Sequence, residues 1–210
     1  MRETEMSEAM VWYAAYGSNV DRRRFITYLT GGPVPGTDDA QAGALDAAPP
    51  RRDEAYRFNR SIRFAHHSPR WNGATAVLHH ASGSEGALGR RYLITESQFA
   101  DVIAQENRRP SAELPLSELV VGEVHPITSK AYDGLLLLET DEGIPIVTFT
   151  SPTDPTELDP APPSSAYLAT MARGILDAHQ LSAKEMASRL HDAPGVAPTW
   201  SISDIEALVE

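Results

Sequence analysis

The sequence predicts an α+β domain: a small mixed β-sheet or barrel of about six or seven strands with flanking helices and a helical extension at its C-terminal end. Strand-length runs dominate residues 11–149, and only two helical stretches interrupt them. After a proline-rich connection at 151–163 the pattern turns wholly helical. A doubly wound parallel sheet needs regular strand–helix alternation, which is missing.

Residues 1–10 are polar and expected to fray, 11–181 form the domain, and 182–210 are expected to pack on it as a helical extension. Val11–Tyr16 is apolar on both faces, as a central strand should be. Gly17-Ser18-Asn19 breaks it. A helix then runs from Asp21 to Leu29, with Ser18 and Asp21 at capping-box spacing and Gly31-Gly32 as its stop. The stretch from Thr30 to Pro50 is rich in Gly, Pro, Ala and Asp and reads as a long surface loop. Tyr56–Phe64 alternates large apolar with polar residues, the mark of a half-buried strand. Further strands are expected at 74–79 and 87–94, with a turn at Ser82–Gly86 between them. Thr95–Asn107 follows as a helix opened by a Thr95/Gln98 capping box. Strands at 119–124, 132–138 and 145–149 complete the sheet. Helices at 165–180, 183–192 and 203–209 close the chain, with Ser182/Glu185 and Ser203/Glu206 as capping pairs.

Composition narrows the function classes. The chain of 210 residues has no cysteine, which removes disulfides, thiolate nucleophiles and cysteine zinc sites together. Its net charge of −11 opposes phosphate backbones, so no nucleic-acid partner is expected. No apolar run approaches the roughly 20 residues of a membrane helix, and the N-terminus does not read as a secretory signal. A cytoplasmic monomer or homodimer is the expectation.

Two places can carry chemistry. Phe99, Ile103 and Glu106 lie at i, i+4 and i+7, so the Glu106 carboxylate shares the core-facing stripe of its helix. There it could act as general acid or base. The alternative is a side chain that frays outward to pair with Arg108 or Arg109. The second place is Tyr16-Gly17-Ser18-Asn19, where a central strand meets a helix whose first amides are unpaired, a ready site for a carboxylate or oxyanion. Its alternative is an ordinary strand–turn–helix with Ser18 as cap. His66-His67 and His79-His80 are adjacent pairs; neighbours on a strand face opposite ways, and no third ligand is evident, so no metal centre is expected. Ser18 lacks a G-x-S-x-G elbow, which argues against a hydrolase triad. Trp71 reads as a core plug before a pocket wall, and Arg22-Arg23-Arg24 as a solvated helix face before an Arg-lined mouth for an acidic substrate.

Tyr16-Gly17-Ser18-Asn19 directly after an N-terminal apolar strand resembles the signature of the gamma-glutamylcyclotransferase-like family. Gln105-Glu106 at the end of a helix that follows a strand resembles the place of that family's catalytic Glu. Pro163-Ser164-Ser165-Ala166-Tyr167, opening a helix that contains Gly174, is similar to a third family feature. The ordered set spans roughly residues 11 to 181. Asn107 departs from the pattern, since several relatives have Gly after the Glu, and the 30–53 loop and the helices beyond Ser182 look like additions.

The resemblance implies a cofactor-free, metal-free enzyme acting on a small molecule with an amide and a carboxylate. A γ-glutamyl amide would cyclise to 5-oxoproline and release an amine, with Glu106 moving the protons. Amides of Gly17, Ser18, Asn19 and Val20 would hold the substrate carboxylate or the oxyanion, and Tyr16 and Tyr167 would line the pocket and donate hydrogen bonds. Two other readings remain open: the same pocket acting on a different acyl amide, and a non-catalytic member that binds a small ligand.

Overall fold

The computed structural model describes residues 8–35, 39–83, 86–128 and 132–209. Residues 1–7 of the expected frayed start, and 84–85 of the expected Ser82–Gly86 turn, lie outside these. Strand β1 (Met10–Ala15) ends at Tyr16-Gly17, a 3-10 turn covers Ser18–Val20, and α1 (Arg22–Thr30) follows. Short strands β2 (Gly32–Pro33) and β3 (Ala40–Gln41) pair inside the expected long loop. Next come β4 (Arg52–Arg57), β5 (Ile62–Ser68), β6 (Gly73–Leu78), β7 (Leu88–Thr95) and α2 (Glu96–Glu106). The chain continues through β8 (Val124–Pro126), β9 (Gly134–Asp141), β10 (Ile144–Thr150), α3 (Ser165–Ala178), α4 (Ala183–His191) and α5 (Ile202–Ala207).

Six strands form one mixed sheet in the order β4-β7-β1-β10-β9-β8, and β5-β6 form a separate ribbon. β1 is central, as its two apolar faces required: it is antiparallel to β7 and parallel to β10. The sheet is strongly curled. In a flat sheet β4 and β9, four strands apart, would be separated by about 19 Å. Yet the Tyr56 hydroxyl of β4 donates to Glu139 of β9 at 2.8 Å. The fold is therefore a mixed sheet bent toward a barrel.

Three local expectations are corrected. The alternating run 56–64 is two strands, because the chain leaves the main sheet after Arg57 and enters the ribbon at Ile62. At the crossing Phe58 is buried and its amide bonds to the Ala87 carbonyl. The run 119–124 is mostly not strand: Val121 makes an isolated bridge to Leu137, Val124 opens β8, and Val120 and Val121 are exposed. The last helix starts one residue earlier than expected, at Ile202, capped by Ser201 with Asp204, a pair of the same spacing as Ser203 with Glu206.

An aromatic core backs the C-terminal end of β1. Tyr13 stacks on Phe149 at 5.3 Å between ring centroids, and Phe25 of α1 stacks on Tyr92 of β7 at 3.9 Å. Phe99 of α2 packs on the Tyr13 ring at 5.5 Å. Burying such a ring contributes about 2 kcal/mol, so α1 and α2 are held firmly against the sheet. On the C-terminal side Met186, Leu190 and Ile205 are buried, so α4 and α5 share the core.

Candidate active site

A cavity of about 240 Å³ opens at the C-terminal ends of the parallel pair β1 and β10, lined there by Tyr16, Gly17 and Phe149. Open sheets commonly bind ligands at this end of parallel strands, because the chain turns away and leaves a crevice. Glu106, Ser18, Asn19 and Tyr167 also line the cavity, so four elements distant in sequence meet there.

Glu106 is the last residue of α2, where the helix dipole disfavours a negative charge. Two side chains offset this. Asn19 Nδ2 donates to Glu106 Oε1 at 3.1 Å, and the Tyr28 hydroxyl donates to the same oxygen at 2.6 Å. Hydrogen bonds to a charged group contribute about 1.5–3 kcal/mol each. The frayed alternative is thereby excluded. Both donors converge on Oε1, and Glu106 lines the cavity.

The partners of Glu106 are themselves fixed. Asn19 Nδ2 also reaches the Tyr13 hydroxyl at 3.2 Å. Tyr28 accepts from Arg24 Nη2 at 2.9 Å, and Arg24 Nε donates to Ser18 Oγ at 2.8 Å. Ser18, Arg24, Tyr28 and Glu106 thus form one chain of hydrogen bonds running along α1. Burial, then the nearby Glu106 charge, pushes the Tyr28 hydroxyl far above its ordinary pKa, so Tyr28 stays a proton donor. Tyr28→Phe leaves Arg24 and Glu106 short of a partner. A loss of about 1–3 kcal/mol is expected in a denaturant titration, against a near-neutral change if the hydroxyl were idle.

Arg24 overturns the solvated-face reading of Arg22-Arg23-Arg24. Arg22 and Arg23 are exposed, but Arg24 is 1% exposed, lies 5.0 Å over the Trp71 ring and lines the cavity. The sequence hid it because Arg24 occupies a helical face that became core only once the 68–71 turn covered it. Trp71 is both plug and wall: it is buried, meets Tyr167 edge-on at 5.0 Å and also lines the cavity.

The Tyr-Gly-Ser-Asn segment departs in detail from its expected form. Ser18 does not cap α1; Asp21 does, accepting from the Arg23 amide at 3.0 Å, while Ser18–Val20 turn as a 3-10 helix. Val20 is corrected: its side chain is fully buried away from the cavity, and its amide donates to the Gly17 carbonyl at 3.0 Å. Tyr16 lines the cavity with its ring, but its hydroxyl donates to the Phe149 carbonyl at 3.0 Å. Tyr167 accepts from the Ala76 amide at 3.1 Å, which leaves its own proton for the cavity. Burial pushes the Tyr167 hydroxyl up to about 12, so that proton is retained at neutral pH.

Several lining residues escaped sequence reading. Tyr132 lies beyond the helix end, where Asn107 holds it. Asn107 Nδ2 donates to the Tyr132 carbonyl at 3.0 Å and to Asp133 at 2.8 Å. His66 and His67 both line the cavity, although strand neighbours face opposite ways. A β-bulge between Ala65 and His67, with His66 at φ 56°, breaks the alternation. Desolvation lowers the His66 pKa, so the ring is neutral. Among the described residues no group of three His, Cys, Asp or Glu could hold a metal ion. No described helix is long and apolar enough to cross a membrane.

No family model matches the chain. Over 199 residues it is 28% identical to histone deacetylase 5 of Arabidopsis thaliana, covering 86% of this chain. It spans only 30% of that protein's length. Among solved structures, gamma-glutamyl cyclotransferase superposes with a TM-score of 0.52 at 17% identity, covering 94% of this chain and 98% of that one. An uncharacterized human protein matches equally, with a TM-score of 0.52 at 16% identity, covering 95% and 99%. The curled mixed sheet and its helices thus follow one known architecture from end to end, and the chain has the gamma-glutamyl cyclotransferase fold.

Proposed function

We propose that this chain is an enzyme that cyclises a γ-glutamyl amide to 5-oxoproline and releases the amine, with Glu106 as the proton-transfer group. The observation that carries the reading is the setting of Glu106: one oxygen is held by Asn19 and Tyr28, and the residue lines the cavity together with the Gly17–Asn19 turn.

The reaction is intramolecular, so catalysis is mostly a matter of holding the substrate folded back on itself. Glu106 Oε2 takes a proton from the substrate's α-ammonium. The freed amine attacks the γ-carbonyl carbon, and its new C–N bond closes the ring as the carbonyl oxygen becomes an oxyanion. Collapse of that oxyanion breaks the original amide C–N bond as Glu106 delivers its proton to the departing nitrogen; Glu106 then takes the second proton from the ring nitrogen and passes it to the released amine, which leaves as an ammonium. The oxyanion donors in this reading are the Asn19 backbone amide and the Tyr167 hydroxyl. Each is pinned by the packing of α1 and α3, so no reorganisation is needed during the reaction. The family resemblance and the shared fold support the same assignment.

The test is incubation of the purified protein with a panel of γ-glutamyl amino acids and γ-glutamyl amines, read by mass spectrometry for 5-oxoproline. Product across part of the panel is expected. No product from any member removes the cyclotransferase reading and moves the assignment to a different acyl amide or to a binding role.

A further inference from the structure

We propose that Arg24 is a substrate-binding residue that takes the α-carboxylate of the glutamyl group, so that a buried cation recognises the acyl end of the substrate. The proposal rests on the cyclisation reading above.

The position follows from the local chain. Asp21 caps α1, so the helix begins at Arg22 and its first turn brings Arg24 beside the Ser18 hydroxyl. The guanidinium lies 5.0 Å from the Trp71 ring centroid and 5.4 Å from that of Tyr28. Two of its nitrogens are held: Nε donates to Ser18 Oγ at 2.8 Å and Nη2 to the Tyr28 hydroxyl at 2.9 Å. The flat group is thereby fixed in one plane. Its third nitrogen, Nη1, is buried without a hydrogen-bond acceptor.

Such an arrangement is unfavourable for the protein alone. Arg24 is 1% exposed, and both of its acceptors are neutral hydroxyls. Glu106 is joined to it only through the Tyr28 hydroxyl. Asp39 feels the Arg24 charge, but after those of Arg70 and Arg108, and it bonds Arg70 at 2.5 Å. A guanidinium taken out of water against neutral partners carries a large desolvation penalty, which an anion on the remaining nitrogen offsets. Arg24 lines the cavity with Ser18, Trp71 and Glu106, so a ligand can supply that anion.

The neighbouring atoms say which anion fits. Asn19 Oδ1 is likewise buried without a partner, on the side chain whose Nδ2 donates to Glu106. The cavity wall thus holds a charged donor on Arg24 and acceptors on Asn19 and Glu106. An α-amino acid head carries both complements, a carboxylate and an ammonium, on one carbon. The turn itself offers fewer amides than its sequence implies. The Val20 amide donates to the Gly17 carbonyl, the Asp21 amide to the Ser18 carbonyl, and the Ser18 amide lies against the Tyr167 oxygen. With the Asn19 amide assigned to the oxyanion, the α-carboxylate needs another donor, and Arg24 is a charged one.

The test compares γ-glutamyl-alanine with the analogue whose glutamyl α-carboxylate is a primary amide, on the native protein, Arg24→Met and Arg24→Lys. Both compounds keep the ammonium that cyclises. The native protein is expected to favour the carboxylate in kcat/KM. Arg24→Met should lower that preference about tenfold, through KM, with Arg24→Lys keeping part of it. A residue that only held Ser18 and Tyr28 in place would slow both compounds alike, so an unchanged preference overturns the proposal. A second arm needs neither a folded variant nor turnover. In the native protein with isotope-labelled arginine, the Arg24 guanidinium resonance is expected to shift with the product 5-oxoproline and not with 5-oxoprolinamide. An Arg24 signal that ignores both compounds, or answers both equally, overturns the proposal. If neither γ-glutamyl compound is turned over, the cyclisation reading falls, and this arm alone judges Arg24.

Discussion

The Glu106→Gln protein is expected to fold like the native one and to lose about 10²–10⁴-fold in kcat, the range of a positioned proton-transfer group. Glutamine matches the shape of glutamate and still offers an oxygen to Asn19 and Tyr28, whose donors converge on Oε1 in the native protein. The substituted amide cannot take a proton from the substrate ammonium at neutral pH. A loss in kcat with an intact thermal midpoint therefore separates chemistry from folding. Formation of 5-oxoproline within a factor of about three of the native rate would remove Glu106 from the mechanism.

The second large effect is expected at Gly174, far from the chemistry in sequence. A Cβ at Gly174 would sit 2.5 Å from the Val20 carbonyl carbon and 2.7 Å from the Asp21 Cα. These are backbone atoms of the turn that builds the site, so no side-chain rotation relieves the clash, and α3 must move away. Overpacking of this kind costs about 1–3 kcal/mol. In a protein of this size that lowers the thermal midpoint by roughly 2–12 °C. The displacement also carries Tyr167 of the same helix, whose hydroxyl lies 2.9 Å from where a Gly17 side chain would begin. Gly174→Ala is therefore expected to lose both stability and kcat/KM. An unchanged midpoint would mean that α3 does not press on the turn.

The local signals along the chain were legible because they are set by neighbours. The apolar run of β1, the Thr95/Gln98 box of α2 and the Ser182/Glu185 box of α4 all formed where side-chain type and spacing required. Glu106 on the buried stripe was readable for the same reason: 3.6-residue periodicity alone puts it beside Phe99 and Ile103. The ordered Tyr-Gly-Ser-Asn, Gln-Glu and Pro-Ser-Ser features pointed to the fold that the solved structures share.

What failed in the sequence reading failed where periodicity is broken or where a distant segment changes a residue's surroundings. The bulge at His66 turns both histidines to one cavity by inserting a residue that no pattern announces. Tyr56–Phe64 looked like one strand because both halves alternate, and only the pairing partners divide them between sheet and ribbon. Arg24 and Tyr28 read as ordinary helix residues until the 68–71 turn buries one and Glu106 accepts from the other. The sequence by itself determined most of the elements, the fold class and the inward carboxylate, since these follow from local spacing and hydrophobicity. Tertiary structure alone decided which groups hold that carboxylate and which cations surround it, because their partners lie up to 87 residues away and only the folded chain brings them within hydrogen-bonding reach.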